Sequence, residues 1–277
     1  MRTIVVINDN SSHAKHAAEA ALYIAQKHKA NLLLANLVGQ KDNINANAGI
    51  VHAYAHDHED DESHVADLAA YLKMRQITGP GYKPVITNLD ALNLNEIELA
   101  DLLNKHNAAI VIHGCEHNST NDIPVLDPFL LLNVIKCPLM LMPSNCSSLA
   151  FERIVYMTDL RYCKPSVVRF LAKFARPYAS KLLLGHLSAS GLPDMALDYA
   201  ISLFKETVAA IVDYSELAFN NIKERNVEKA LDVLVQGMHT DMLVLMNHQY
   251  HFKQVIGNST LSNRLSHISI PIMVFPF

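Results

Sequence analysis

Glycine is scarce in this sequence, and several familiar sequence signals are missing. Nine of the 277 residues are glycine, about 3% against a typical ~7%, which disfavours glycine-rich loops around phosphate groups. The four cysteines form no C-x-x-C pair and no zinc spacing, so reduced thiols in a cytoplasmic protein are expected. No apolar run approaches the ~18 residues that a transmembrane helix needs.

A large excess of charge of one sign is also missing. The net charge is -4 and 18% of the residues are charged, which provides no electrostatic basis for binding nucleic acid or an anionic membrane surface. The first residues, MRTIVVIND, enter a strand-like run without the longer apolar region and cleavage site of a signal peptide. Half of the residues are hydrophobic, and a chain of this length can form one large domain or two of ordinary size.

The sequence does contain an internal repeat. Three pairs of short segments match each other, the first two pairs at an offset of 150 residues and the third at 133. The pairs are Ile4–Asp9 with Ile154–Asp159, Asn31–Leu37 with Lys181–Leu187, and Cys137–Pro143 with Ile270–Pro276. The smaller last offset means that the first half carries about 17 additional residues. We therefore predict two copies of one domain, 1–146 and 151–277, with an insertion at about 39–64 in the first copy.

Each half alternates strand-like and helix-like segments. The strands are short continuous apolar runs, as expected when helices cover both faces of a parallel sheet. In the first half the predicted strands are Thr3–Asn8, Asn31–Val38, Pro84–Asn88, Ala109–His113 and Leu139–Met142. In the second half they are Ile154–Thr158, Lys181–Leu187, Ala210–Asp213, Met242–Met246 and Ile272–Phe275.

The helices are predicted from apolar residues at helical spacing. The clearest, Ser11–Ala30, starts with a serine cap and is rich in alanine. Helices at Asn95–Asn107 and Asn226–Thr240 precede the fourth strand of each half, and others begin near Ser63 and Ser259. Alternation of strands and helices with short loops predicts a doubly wound α/β fold.

The ends of the first strands carry residues that point to a known family. Val6–Ser11 reads VINDNS, which fits V-x-x-D-x-S, and Tyr156–Arg161 reads YMTDLR at the matching place. An alanine-rich helix follows the first of these, and each half closes on a strand with a proline followed by aliphatic residues and methionine. In their order, spacing and repetition these segments resemble the universal stress protein family in tandem, over nearly the whole chain.

The resemblance implies an architecture as well as a class of ligand. Each half would be a five-stranded parallel sheet of order 3-2-1-4-5, of the adenine nucleotide alpha hydrolase-like class, with helices on both faces. Tandem members pair their halves through the fifth strands, so Cys137–Pro143 and Ile270–Pro276 would meet across a pseudo-twofold axis. Many members bind ATP, others do not, and no shared catalytic reaction defines the family.

The expected site lies beyond the carboxyl ends of the strands where the winding of such a sheet reverses, between strands one and four. Asp9 and Asp159 follow strand one, and residues 114–118 and 246–250 follow strand four. ATP-binding members carry G-x2-G-x9-G-[ST] after strand four, where glycine lets backbone N–H groups approach phosphate oxygens.

The second half departs from that motif at each glycine. The three positions fall on Leu245, His248 and Asn258, and Gly257 lies one residue early. Side chains at the first two positions would crowd a phosphate, whereas the residues from Gly257 onward form a donor-rich helix start where an anion could bind. The candidate residues for a nucleotide or anion here are Asp159, Asn247, His248, Gly257, Asn258, Ser259 and Thr260.

The first half departs further. Gly114 matches the first glycine, but His117 stands at the second, and Pro124 and Pro128 remove two N–H donors. Gly114 and Asp9 are the remaining candidates. Each strand-one aspartate has two interpretations, as a ligand for the base or sugar of a nucleotide or as an acceptor for backbone N–H groups of the next turn. The structural role is favoured because the phosphate loops are degraded.

The insertion is another candidate site. It holds His52, His56, His58 and His64 among five acidic residues, and imidazole and carboxylate groups at this density could bind zinc or nickel. A solvated charge run before a helix start explains the same pattern. No metal site is therefore predicted from it.

Motifs of conventional catalysis are absent: the chain has no G-x-S-x-G elbow, Walker loop or H-E-x-x-H. Related folds that activate substrates with ATP carry a serine- and glycine-rich loop after strand one, and NDNSSH has the serines but no glycine. We therefore expect a cytoplasmic, non-enzymatic stress-response module that acts through protein partners or self-association. The alternative is a nucleotide or anion sensor that uses the second half, and a metal-dependent or ATP-cleaving enzyme is a third hypothesis.

Overall fold

The computed structural model describes residues 3–37, 68–77, 81–115, 126–146, 148–257 and 268–277. The strands are β1 (Thr3–Asn8), β2 (Asn31–Asn36), β3 (Ile86–Asp90), β4 (Ile110–Cys115), β5 (Leu139–Pro143), β6 (Arg153–Thr158), β7 (Lys181–His186), β8 (Leu217–Asn221), β9 (Met242–Met246) and β10 (Ile272–Phe275). The α-helices are α1 (Ser12–His28), α2 (Leu68–Ile77), α3 (Glu96–Lys105), α4 (Pro128–Leu132), α5 (Pro165–Ala175), α6 (Leu197–Phe204), α7 (Val227–Asp232) and α8 (Tyr250–Val255).

All ten strands form one sheet in the order β3-β2-β1-β4-β5-β10-β9-β6-β7-β8. Neighbouring strands within each half are parallel, and the antiparallel pair is β5 with β10. Each half therefore has the order 3-2-1-4-5, and the prediction of two doubly wound halves joined through their fifth strands is confirmed. The two halves form an intramolecular pseudo-dimer.

The β5–β10 pair is buried because both strands are apolar along their whole length. Met140 lies opposite Met273, with Leu141 opposite Ile272 and Leu139 opposite Val274, and all six side chains are buried. Edge strands of this composition would otherwise invite association. Pairing them inside one chain therefore covers both edges.

Helices pack on both faces of the sheet, as continuous apolar strands require. Helices α1, α2, α5 and α6 cover one face, and α3, α4, α7 and α8 cover the other. The predicted serine cap is present, because Ser11 Oγ accepts from Ala14 N–H at 3.0 Å. Asn95 and Asn226 cap α3 and α7 in the same way. Within the described ranges each helix is too short or too polar to cross a bilayer.

The predicted third strand of the second half, Ala210–Asp213, is wrong. Residues 210–212 instead end a helix, because the N–H groups of Ile211 and Val212 both bond the carbonyl of Val208. The strand is β8, whose residues alternate between half-buried and exposed. Its apolar run, Leu217–Phe219, is shorter than the run Val208–Val212, so a criterion based on continuous apolar runs selected the wrong segment.

The third strand of the first half lies two residues later than predicted, at Ile86–Asp90 instead of Pro84–Asn88. Proline has no N–H for the strand ladder, and the Pro84 carbonyl accepts from the Gln76 side chain. Helices α5, α6 and α8 were not predicted. The insertion at 39–64 lies outside the described residues, and the domain limits 1–146 and 151–277 stay a prediction.

Aromatic rings join the two halves on the face that carries α1 and α5. His28 at the end of α1 stacks on Phe174 of α5, with ring centroids 5.0 Å apart. Phe174 also lies 5.5 Å from both Phe151 and Tyr178. Phe151 is fully buried with a φ of 48°, a left-handed conformation unusual for an aromatic residue. Packing in this cluster therefore holds the start of the second half in place.

Substitution Phe174→Ala should lower the free energy of unfolding by about 3–5 kcal/mol, because the cavity would open where rings from both halves meet. Urea unfolding measures the change. Phe174→Leu, which keeps apolar volume, should cost less. A loss below about 1 kcal/mol for Phe174→Ala would contradict a central role for this cluster.

Candidate functional site

The fold brings two of the predicted site residues of the second half to one edge of the sheet. Asp159 follows β6 and Asn247 follows β9, and these two strands are neighbours. In the first half, Asp9 follows β1 and Gly114 lies near the end of the neighbouring β4. These residues therefore lie where the winding of each half reverses.

The Asp159 carboxylate is bound by groups of the chain itself. It accepts hydrogen bonds from Arg161 N–H at 3.0 Å, from Arg161 Nη1 at 3.1 Å and from Ala189 N–H at 3.0 Å. Asp159 caps the single 3₁₀ turn Leu160–Tyr162 and is 1% exposed. The Asp159 side chain, for which a structural role was favoured over that of a ligand, thus fixes the junction between β6 and the loop after β7.

His186, the last residue of β7, lies beside this carboxylate and is fully buried. Its Nδ1 accepts from Leu160 N–H at 3.0 Å, so the ring proton is on Nε2, 3.5 Å from Ser188 Oγ. His186 Nδ1 lies 3.9 Å from Asp159 Oδ1, but the two groups form no ion pair because Nδ1 carries no proton. Burial lowers the pKa of His186 more than Asp159 raises it.

Ser188, His186 and Asp159 follow one another in the order of a catalytic triad, but they do not work as one. A general base in such a triad accepts a proton on the nitrogen that faces the serine, while the other nitrogen donates to the carboxylate. Here the serine-facing nitrogen carries the proton and the other accepts from a backbone amide. This tautomer stabilises the turn instead of activating the hydroxyl.

Gln249 fills the space between the ends of β6 and β9. Its Oε1 accepts from Thr158 Oγ1 at 3.0 Å, and its Nε2 donates to the Tyr162 carbonyl at 3.2 Å. Sequence reasoning missed this residue, because a glutamine in a polar loop has no pattern that marks it. It also missed Arg161, although this residue lies two positions after a singled-out aspartate.

Asn247 connects the second-half crevice to the first half of the chain. Its Nδ2 donates to Asn133 Oδ1 at 3.0 Å, just after α4, and its Oδ1 accepts from His248 N–H at 3.0 Å. His248 has a φ of 61° and is exposed, with its ring against Phe277. The structure therefore places these two residues together but gives Asn247 a protein partner.

Gly257 ends helix α8. It has a φ of 94°, which glycine adopts at little cost, and its N–H donates to the Lys253 carbonyl at 3.1 Å. This geometry is typical of a helix C-terminus. The predicted loop after β9 therefore contains a helix, and the neighbouring candidates Asn258, Ser259 and Thr260 lie outside the described residues.

In the first half, Asp9 and Gly114 also have structural contacts. Asp9 Oδ1 accepts from Ser11 N–H at 3.0 Å at the start of α1. A Cβ atom at Gly114 would lie 2.3 Å from the carbonyl oxygen of His13, so only glycine lets the first turn of α1 sit on β4. Packing against α1 explains why glycine is present at position 114, and no phosphate is needed. From the sequence alone, Gly114 was interpreted as the remnant of a phosphate loop.

Titratable groups around that contact are shifted by burial. Burial lowers the pKa of His113, partly offset by Asp9, and raises the pKa of Cys115 to about 12, with a further contribution from Asp9. Across the described ranges, no three His, Cys, Asp or Glu side chains could hold a metal ion together. The predicted histidine cluster of the insertion lies outside those ranges.

His251 in α8 is a second histidine beneath the second-half crevice. It is 1% exposed and neither ring nitrogen makes a hydrogen bond. Burial lowers its pKa to about 4, and the nearby Leu187 carbonyl and Asp159 offset this only in part. The ring is therefore neutral at physiological pH.

Substitution Gly114→Ala should lower the free energy of unfolding by about 1–3 kcal/mol, because the methyl group overlaps the backbone of His13. Thermal or urea unfolding measures this. Gly237→Ala is the matched control, since its Cβ would meet only Val233 Cγ1 at 3.8 Å. Equal effects of the two substitutions would show that the α1–β4 contact is not tight.

The pH dependence of stability tests His251. Its pKa of about 4 in the folded state lies below the unfolded value, so the unfolded chain binds more protons in between. Stability should fall from about pH 6.5 to about pH 4, by roughly 3 kcal/mol from this residue alone. Urea unfolding at several pH values should show a correspondingly smaller fall in the stability of His251→Gln. In the exposed control His106→Gln this reduction of the fall should not occur. An unchanged pH profile in His251→Gln would contradict the buried neutral state.

Comparisons with known proteins identify the fold. No model of a protein family matches the chain, and no curated protein matches it. Among solved structures, the chain is similar to a universal stress protein from Archaeoglobus fulgidus DSM 4304, with 11% identity, 99% of this chain and 95% of that chain covered, and a TM-score of 0.56. A protein of Pseudomonas aeruginosa UCBPP-PA14 that carries the same designation matches with 13% identity, 99% and 93% coverage and a TM-score of 0.57.

The cytoplasmic domain of a prokaryotic cation chloride cotransporter is also similar, with 8% identity, 99% and 94% coverage and a TM-score of 0.50. The likeness extends over both halves in each case, and at these identities it concerns the fold. The chain therefore has the fold of these universal stress proteins over both of its halves.

Proposed function

We propose that this chain is a stress-response module of the universal stress protein type that acts through protein contacts and has degenerate nucleotide-binding loops. The observation that carries the proposal is that groups of the chain itself fill the crevice of the second half. Asp159 is bonded to Arg161 and Ala189, and Gln249 bridges Thr158 and Tyr162. A nucleotide in the usual place would have to break these contacts and desolvate the same groups again.

The loop after β9 supports the same proposal. Leu245 is fully buried in the strand and His248 has a left-handed backbone, at the two positions where ATP-binding members have glycine. Gly257 serves the end of α8. In the part of this loop that the structure describes, the N–H groups of His248 and Gly257 already donate to Asn247 Oδ1 and to the Lys253 carbonyl.

A non-enzymatic role belongs to the proposal. The most triad-like group of side chains, Ser188, His186 and Asp159, holds the tautomer that cannot accept the serine proton. This group of side chains thus gives no support to a hydrolytic role, in keeping with a proposal of action through protein contacts.

Apolar side chains on the helices offer a surface for such contacts. Ile97 on α3 is 64% exposed and Leu130 on α4 is 53% exposed, and both helices lie on the same face of the sheet. A partner protein or a second copy of the chain would bury them. A cytoplasmic location belongs to the proposal and agrees with four cysteines that form no disulfide with one another.

The alternative function is a nucleotide or anion sensor in the second half. The observation that favours it is Arg161, whose guanidinium lies at the crevice with a quarter of its side chain exposed. Guanidinium groups bind phosphate and carboxylate well. Ser259 and Thr260 would supply further donors if they face this group.

Thermal unfolding with and without millimolar ATP and magnesium separates the two functions. A ligand at ~100 times its Kd stabilises the folded state by about 2.7 kcal/mol, which raises the midpoint by several degrees for a chain of this size. We expect no rise. A rise that disappears in Ser259→Ala, but persists in the exposed control Ser166→Ala, would overturn the proposal in favour of the sensor.

A further inference from the structure

Residues 188–195, here named the strap, cover the carboxyl ends of β6 and β7. The strap leaves β7 after Leu187 and reaches α6 without strand pairing, and a turn closed by Leu192 N–H on the Ala189 carbonyl bends it. Gly191 has a φ of 80° within this turn. Of its eight residues only Met195 is buried. Polar contacts therefore hold most of the strap in place.

The inner contacts join the strap to Asp159. Ala189 N–H donates to Asp159 Oδ2 at 3.0 Å. Arg161 links the same carboxylate to the strap, because its Nη1 bonds Asp159 and its Nη2 donates to the Pro193 carbonyl at 2.6 Å. With the strap in this position the Asp159 side chain is 2% exposed.

The outer contacts lie on the surface. Asp194 and Arg225 form a two-point ion pair, with Arg225 Nε 3.1 Å from Oδ1 and Nη2 2.8 Å from Oδ2. Their side chains are 68% and 65% exposed. Asn221 Nδ2 adds a hydrogen bond to the Met195 carbonyl at 3.2 Å. The end of the strap is thus tied to β8 and the segment after it mainly by one solvent-exposed pair.

Exposed ion pairs are the contacts most sensitive to salt. The Debye length falls from more than 10 Å below 0.1 M salt to about 3 Å at 1 M, whereas buried bonds such as that of Ala189 to Asp159 are screened far less. A segment with little buried apolar surface and one exposed ionic tie is also a region where local opening is cheap.

We propose that the strap is an ionic-strength-dependent cover: the Asp194–Arg225 pair keeps it closed over Asp159, and salt shifts it toward an open form that exposes Asp159 and Arg161. This gives the fold a conformational response to ionic conditions. It requires no bound nucleotide, and it holds whichever of the two functions above is correct.

Hydrogen exchange of the full-length protein tests the proposal. Exchange is measured by mass spectrometry on peptides that span 187–195, at about 0.05 M and about 1 M sodium chloride. In the wild-type protein, exchange of these amides should be about two- to fivefold faster at high salt, the range expected for loss of one exposed ion pair. In Asp194→Asn it should be fast at both concentrations, without a salt response.

Asp213→Asn is the matched control. Asp213 forms an exposed pair with Arg176 in the same half, at 3.7 Å, but does not touch the strap. This variant should exchange like the wild type at both salt concentrations. A salt response of the strap that persists in Asp194→Asn, or wild-type exchange that salt does not change, would overturn the proposal. The proposal would also be overturned if exchange in Asp194→Asn became faster in the strap but not at the Ala189 amide, because Asp159 would then stay covered.

Discussion

The antiparallel pairing of β5 with β10 is the contact on which the rest of the structure depends. Strands within each half are parallel, so this one reversal points the carboxyl ends of the two halves toward opposite edges of the sheet. The amino end of β5 then lies beside the carboxyl ends of β9 and β10. This explains how Asn133, which precedes β5, reaches Asn247 in the second-half crevice, and how Phe129 meets Phe252, 5.9 Å away.

Groups of the chain itself fill the second-half crevice. Buried polar groups need partners, and a carboxylate such as Asp159 is costly to leave unpaired. Its partners here come from the adjacent turn and from the strap. Gln249 does the same for the neighbouring polar groups of Thr158 and Tyr162. The polar groups near the ends of β6 and β9 thus find their partners within the chain.

The two halves share a fold but stabilise their crevices differently. In the first half, Gly114 admits the backbone of His13, and Asp9 caps the following turn while staying half-buried. In the second half a 3₁₀ turn replaces the start of the long helix, so α5 begins only at Pro165. That displacement makes room for Arg161 between the aspartate and the strap.

The sequence by itself determined the duplication, the α/β class and the position of every buried strand, since continuous apolar runs report burial on both faces of a sheet. β1, β9 and β10 have the predicted bounds. Only the tertiary structure decided where the edge strand β8 lies and which groups occupy the crevice. The Thr158–Gln249 bond joins residues 91 positions apart, and no local pattern records such a partner. Periodicity reports how deeply a residue is buried, whereas hydrogen-bond partners depend on which segments the fold brings together.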